Sequence, residues 1–234
     1  MRKVKQLLKA YLLDTIRNPV NMLYGVLMVF GVLGLTAFVL NQGTTAEIVA
    51  SYSVFIVSYA AISAIAYSIA GDKEKGLYRM YRGSRLSKTE YVSAKVLIAS
   101  LPVVFSFMVI GVGTLATSLN LGIEILPILV LSVLAHAGIG LLIGSFVTEH
   151  ADVQKFLTIF LLGMTFLAPV FYTSNSLPEI LVLVQQFIPL THGVEAMRAV
   201  MVDGAGIEAV WTALLLLSIL SAAGFILGYR RLEF

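Results

Sequence analysis

Residues 71–91 read GDKEKGLYRMYRGSRLSKTEY, and nine of these twenty-one positions are Asp, Glu, Lys or Arg in a chain whose charged content is only 12%. The stretch lies between two of the most apolar regions of the sequence. Six of its charges are basic: Lys73, Lys75, Arg79, Arg82, Arg85 and Lys88. One Lys or Arg at the centre of a membrane helix costs about 2.5–3.5 kcal/mol, so six would cost about 15–20 kcal/mol. The island is therefore expected outside lipid, and the rest of the chain can be laid out around it.

On either side the composition is that of a membrane protein. The 234 residues are 59% hydrophobic with a mean hydropathy of +0.93, and a typical soluble domain carries about twice this share of charge. Apolar runs cover 21–40, 48–70, 96–119, 125–147, 156–172 and 210–228. A hydrocarbon core of about 30 Å needs about 20 helical residues. These runs lack the alternation of barrel strands, and only helices or closed barrels satisfy their backbone in lipid. The expected fold is all-α, with six transmembrane helices in one domain over 1–234, since no internal repeat, low-complexity tract or long linker divides the chain. There is no cysteine, so no disulfide or thiolate metal site is available. Residues 1–18 are basic and amphipathic rather than built like a signal peptide, and are expected to remain as an N-terminal amphipathic helix.

Sidedness follows from the basic residues, because short loops rich in Lys and Arg stay in the cytoplasm. If six spans alternate, fifteen of the sixteen Lys and Arg residues fall on one side, and only Arg198 lies opposite. Both termini are then cytoplasmic, in the plasma membrane. The segment 173–209 fits neither a loop nor a span. Its apolar pieces are about the 10–14 residues typical of re-entrant or interfacial helices, and Pro189, which has no N–H to donate, separates two of them. A re-entrant helical hairpin on the outer side is expected there.

Read as a helix, the island gathers Leu77, Met80, Tyr81 and Ser84 on one face and Lys75, Arg79 and Arg82 on another. One reading lays it on the membrane, with its cations on anionic headgroups. The other makes it a docking element for a soluble partner, anchored by Tyr78 and Tyr81. Periodicity alone does not separate them.

A resemblance bears on the choice. Glu74-Lys75-Gly76-Leu77, then Leu86-Ser87-Lys88-Thr89-Glu90-Tyr91 and Lys95, resembles the segment between spans two and three of ABC exporter permeases of the second type. The stretch Pro189-Leu190-Thr191-His192-Gly193 to Arg198 is similar to the one before that family's last span. Arg85 and Ala94 depart from the usual Pro and Gly, which puts the local turn into span three in question. The resemblance implies a coupling helix at Glu74, Lys75, Gly76, Leu77, Tyr78, Met80 and Tyr81, seated in a cytoplasmic ABC ATPase and flanked by an amphipathic helix at Lys3 to Arg17. It implies two ATPase copies and a second permease copy, identical or related, in contact with membrane lipid and with no nucleic acid. A phosphate-binding loop requires a Gly-Lys dipeptide, and the sequence has none. This chain is thus not expected to be an enzyme or to hold a cofactor, and ATP and Mg are expected in the partner.

In the second run Tyr52, Tyr59, Ser63 and Tyr67 fall within an arc of about 80°, a stripe suited either to helix packing or to lining a pathway. Phe160, Met164, Leu167 and Phe171 form a similar apolar face in the fifth. The resemblance points to these two spans as pathway walls, lined by Tyr52, Tyr59, Ser63, Tyr67, Phe160, Met164 and Phe171, and such a lining suits an amphipathic or hydrophobic cargo such as a drug, peptide or lipid. Pro189, His192, Glu195 and Arg198 are the expected extracellular gate, with Glu195 and Arg198 close enough on a helix to pair. His136 is either a buried packing residue or an intramembrane functional group. Gly140 and Gly144 form a small-xxx-small pair. Glu149, His150 and Asp152 match no zinc spacing, so no metal is expected. The competing function is a carrier driven by an ion gradient, which needs intramembrane carboxylates or broken-helix ion sites. A membrane enzyme would need a clustered nucleophile and base, which the sequence lacks.

Overall fold

The computed structural model describes residues 45–84, 86–101, 103–116, 118–172 and 178–232. The expected amphipathic helix at 1–18 and the expected span at 21–40 lie outside them. The described residues form helices and no strands: α1 (Thr45–Glu74), α2 (Leu77–Gly83), α3 (Lys88–Ala99), α4 (Val103–Ala116), α5 (Ile125–Phe146), α6 (His150–Leu167), α7 (Glu179–Gln185), α8 (Pro189–Met201) and α9 (Ile207–Arg231). Three of them, α1, α5 and α9, are long and apolar enough to cross a membrane. The pair α7 and α8, bent by 93°, is either a broken span or a re-entrant loop. At 1.5 Å per residue the 30-residue α1 is about 45 Å long, well beyond a 30 Å hydrocarbon core, so its charged end projects.

Helix α5 is the centre of the bundle, with α1 on one side and α9 on the other. Small residues permit this. A Cβ built on Gly138 would lie 3.1 Å from the Cα of Gly224 on α9. One built on Gly140 would lie 2.7 Å from the Ile62 carbonyl oxygen on α1. Without an aqueous hydrophobic force between helices, close backbone approach of this kind is what holds a membrane bundle together. The Gly140 and Gly144 pair of the sequence thus faces α1, and Gly138 opens a second contact face toward α9.

Two expected spans differ from the structure. The run 96–119 is divided between α3 and α4. Ser100 ends α3, its N–H bonded to Val96 O at 3.1 Å, and the chain re-enters through a Val103 N–H bond to Ser100 O, also 3.1 Å. The interruption adjoins Pro102, a residue that has no N–H to donate to a continuous helix. The run 156–172 is shifted: α6 begins at His150 and ends at Leu167, two residues before Pro169. Phe171 is therefore beyond the helix and does not share a helical face with Phe160 and Met164.

Candidate coupling site and helix hairpin

The charged island of the sequence is built as three pieces. The last turn of α1 carries Asp72, Lys73 and Glu74; a turn follows at Gly76, whose φ of 65° is in the left-handed region that glycine adopts without strain; then come α2 and the start of α3. Ser87 caps α3 reciprocally. Its hydroxyl accepts from the Glu90 N–H at 3.1 Å, and the Glu90 carboxylate accepts from the Ser87 N–H at 3.0 Å. The Leu-Ser stretch is thus a capping box, which satisfies two backbone donors at once.

The island's cations do not all point outward. Lys73 Nζ turns back onto the end of α5, donating to the carbonyls of Gly144, Ser145 and Val147 at 2.8, 2.7 and 3.0 Å. A cation at a helix C-terminus meets orphan carbonyls and the negative end of the dipole together. Glu74 accepts from His150 Nδ1 at 2.6 Å, and the His150 ring stacks on Tyr67 at 5.8 Å, tying α1 to the start of α6. Lys95 on α3 is buried and bonded to Asp72 at 2.6 Å. Burial draws its ammonium down to about 8, against the opposing pull of Asp72, and pushes the neighbouring Tyr91 phenol up.

Helix α2 turns its aromatic face inward. Tyr78 meets Tyr91 edge-on at 5.8 Å and Tyr81 lies 5.6 Å from the same ring, both packed against the core. Among the described residues, the exposed positions on and just before α2 are Glu74, Lys75, Gly76, Arg79, Met80 and Gly83, with Met80 61% exposed; Leu77 is half-buried. Any face that α2 offers to a partner is therefore centred on Arg79 and Met80 rather than on the two tyrosines. Periodicity put Arg79 and Tyr81 on separate faces but grouped Met80 with Tyr81, whereas tertiary packing half-buries Tyr81 and leaves Met80 exposed.

The stripe read along the second run is divided as well. Tyr52 is buried, Tyr59 is exposed, and Ser63 and Tyr67 are half-buried. Tyr52, Phe55 and Tyr59 form an aromatic ladder, with centroids 5.6 and 6.1 Å apart, and the Tyr67 hydroxyl donates to Gln154 of α6. On α6, Met164 is buried and Phe160 is exposed; Phe171, beyond its end, is exposed too. His136 is wholly buried on α5, its Nδ1 bonded to the Ser132 carbonyl at 2.7 Å.

At the other end of α1 the hairpin residues do not share a face. Pro189 and His192 are buried, His192 holding the Gln186 carbonyl at 2.9 Å, while Glu195 is exposed. Arg198 reaches Ser51 Oγ on α1 at 2.7 Å, the Tyr172 carbonyl at 2.9 Å and the Val170 carbonyl at 3.1 Å. Glu47 and Glu195 both add favourable charge to it at longer range. Tyr172 and Gln185 bond the Leu167 carbonyl. The Phe166 and Leu167 carbonyls at the end of α6 are thus held by side chains from its own continuation and from the α7–α8 hairpin. Sequence reading found Arg198 but not these partners, which lie 26, 28 and 147 residues away along the chain.

The family profile described as ABC-2 type transporter matches residues 2–202. The chain belongs to this family. Comparison with curated proteins returns no match. As an ABC-2 type permease it is a membrane protein and the transmembrane part of a transporter, and the matched domain is a permease rather than a catalytic unit. Among the described residues of the permease, no group of three or more His, Cys, Asp or Glu could hold a metal ion. His150 is engaged by Glu74 and Tyr67.

Proposed function

We propose that this permease is the membrane subunit of an ATP-driven exporter, powered by a separate cytoplasmic ATPase that binds α2. A pair of permease copies with two ATPase copies encloses the pathway; each copy has six spans with both termini cytoplasmic, and the cargo is amphipathic or hydrophobic. ATP and Mg belong to the partner. The observation that supports this reading is α2 itself, a seven-residue helix on the charged end of α1 that packs Tyr78 and Tyr81 inward and leaves Arg79 and Met80 uncovered. Because α2 sits at the end of α1, a force on it acts on the long helix carrying Tyr59 and Tyr67, which line the route. The aromatic lining suits a cargo with apolar surface. A carrier driven by an ion gradient has no comparable observation in its favour.

The test is co-expression with the ATPase encoded beside this chain. Met80→Asp combined with Arg79→Glu should reduce ATPase co-purification at least 10-fold, whereas each tyrosine changed to Phe should leave it within about twofold. Full co-purification with the altered Arg79 and Met80 would remove α2 as the docking element.

A further inference from the structure

Beneath α2 lies a buried polar cluster that docking does not require. Lys95 Nζ and Asp72 Oδ2 are 2.6 Å apart, with side chains only 1% and 6% exposed. The same carboxylate oxygen accepts from the Tyr91 hydroxyl at 2.7 Å. Lys95 also donates to the Ser68 hydroxyl and lies 4.9 Å from the centroid of the Tyr91 ring. Tyr91 is fully buried and is the ring on which Tyr78 and Tyr81 of α2 rest.

Stability does not account for such a pair. Desolvating two charges costs several kcal/mol per ion, and well-packed apolar replacements are often neutral or more stable. What the pair supplies that apolar packing does not is direction. Apolar contacts are non-directional and slide, whereas a charged hydrogen bond holds its partners at a fixed distance and angle. The cluster joins α2, through Tyr91, to Asp72 in the last turns of α1 and to Lys95 on α3.

We propose that Tyr91, Asp72 and Lys95 form the mechanical joint that passes a displacement of α2 into α1 and α3. The proposal rests on the reading of α2 as the ATPase-binding helix. In it the three are positioning residues: α2 pushes on Tyr91, Tyr91 carries Asp72 through its hydroxyl, and Lys95 keeps α3 moving with the end of α1. Coupling of this kind requires an element with distinct arrangements whose balance the motor biases; the shared carboxylate oxygen ties α3, through both Tyr91 and Lys95, to the end of α1, and α2 joins them through the rings of Tyr78 and Tyr81 on Tyr91.

The chain has no cysteine, so a single Tyr59→Cys thiol on the exposed face of α1 can report on movement far from the joint. In permease–ATPase complexes in lipid nanodiscs, labelling of this thiol by a maleimide fluorophore is compared without nucleotide and with ATP plus vanadate. Asp72→Leu with Lys95→Met removes both charges together, so the variant should fold and still bind the ATPase, but the nucleotide-dependent change in labelling rate should fall at least 10-fold. Tyr91→Phe, which keeps the ring contacts and loses only the hydroxyl bond, should lose part of the response and guards against a folding failure of the double variant. A full response in the double variant with normal ATPase binding overturns the joint alone. Failure of the unaltered chain to bind the ATPase overturns the exporter reading and the joint with it.

Discussion

Arg198 Nε lies 2.7 Å from the Ser51 hydroxyl, fastening α8 to α1 across 147 residues of chain. The same guanidinium holds the carbonyls of Val170 and Tyr172, so one planar fork serves three acceptors on two segments. Buried carbonyls left without donors cost about 1–3 kcal/mol each. Arg198→Leu is therefore expected to lower the melting temperature of the detergent-solubilised protein by several degrees and to speed protease cleavage near the hairpin. Arg198→Lys should fall between, because an ammonium lacks the fork. Glu195→Gln should cost less than Arg198→Leu, since it leaves the guanidinium and its three acceptors in place. If Glu195→Gln matches Arg198→Leu, the carboxylate rather than the carbonyls is the main partner.

Much of this arrangement could be read from composition and period. The cost of cations in lipid put the 71–91 segment at a helix end, and α1, α5 and α9 coincide with apolar runs. Gly140 and Gly144 proved to be a contact face. The rest depended on long-range packing. Helical period sorted Tyr81 from Arg79 but could not reveal that the tyrosine side is covered by Tyr91. Charge counting treated Lys73 as one more cytoplasmic cation, whereas its value to the fold lies in carbonyls more than seventy residues away. The shifted end of α6 and the divided α3–α4 did leave a local signal, because Pro102 and Pro169 each lack the donor that a continuous helix needs.

The approach of α5 to α9 makes a second prediction. A Cβ on Gly138 would meet backbone atoms of Gly224 and Phe225 at 3.0–3.1 Å, and backbone cannot move aside as a flexible side chain can. Gly138→Leu and Gly224→Leu should each cost about 1–3 kcal/mol through overpacking, seen as a drop in melting temperature of about 2–4 °C per kcal/mol. Gly163 on α6 is the control, for a Cβ there meets nothing within 4 Å. Gly163→Ala should be neutral or stabilise by up to about 1 kcal/mol, because alanine is the better helix former. Equal losses at all three positions would mean that backbone contact is not what keeps α5 and α9 together.

The buried Lys95 predicts a pH dependence whose sign can be worked out. Its ammonium is drawn down to about 8 in the folded protein, while an unfolded lysine titrates near about 10.4. Between those values the unfolded chain binds more protons than the folded one, so stability rises with pH across that window. The contribution is fully present above the unfolded value and is lost as pH falls through about 8. Melting temperature measured from pH 7 to 10 should therefore show a rising component that disappears when Lys95→Met is combined with Asp72→Leu, since that pair of changes removes the titrating group without leaving a lone buried carboxylate. The difference between the two curves isolates this lysine from the exposed ones. An identical pH profile in the double variant would mean that Lys95 keeps an ordinary lysine affinity for its proton, with Asp72 fully offsetting its burial.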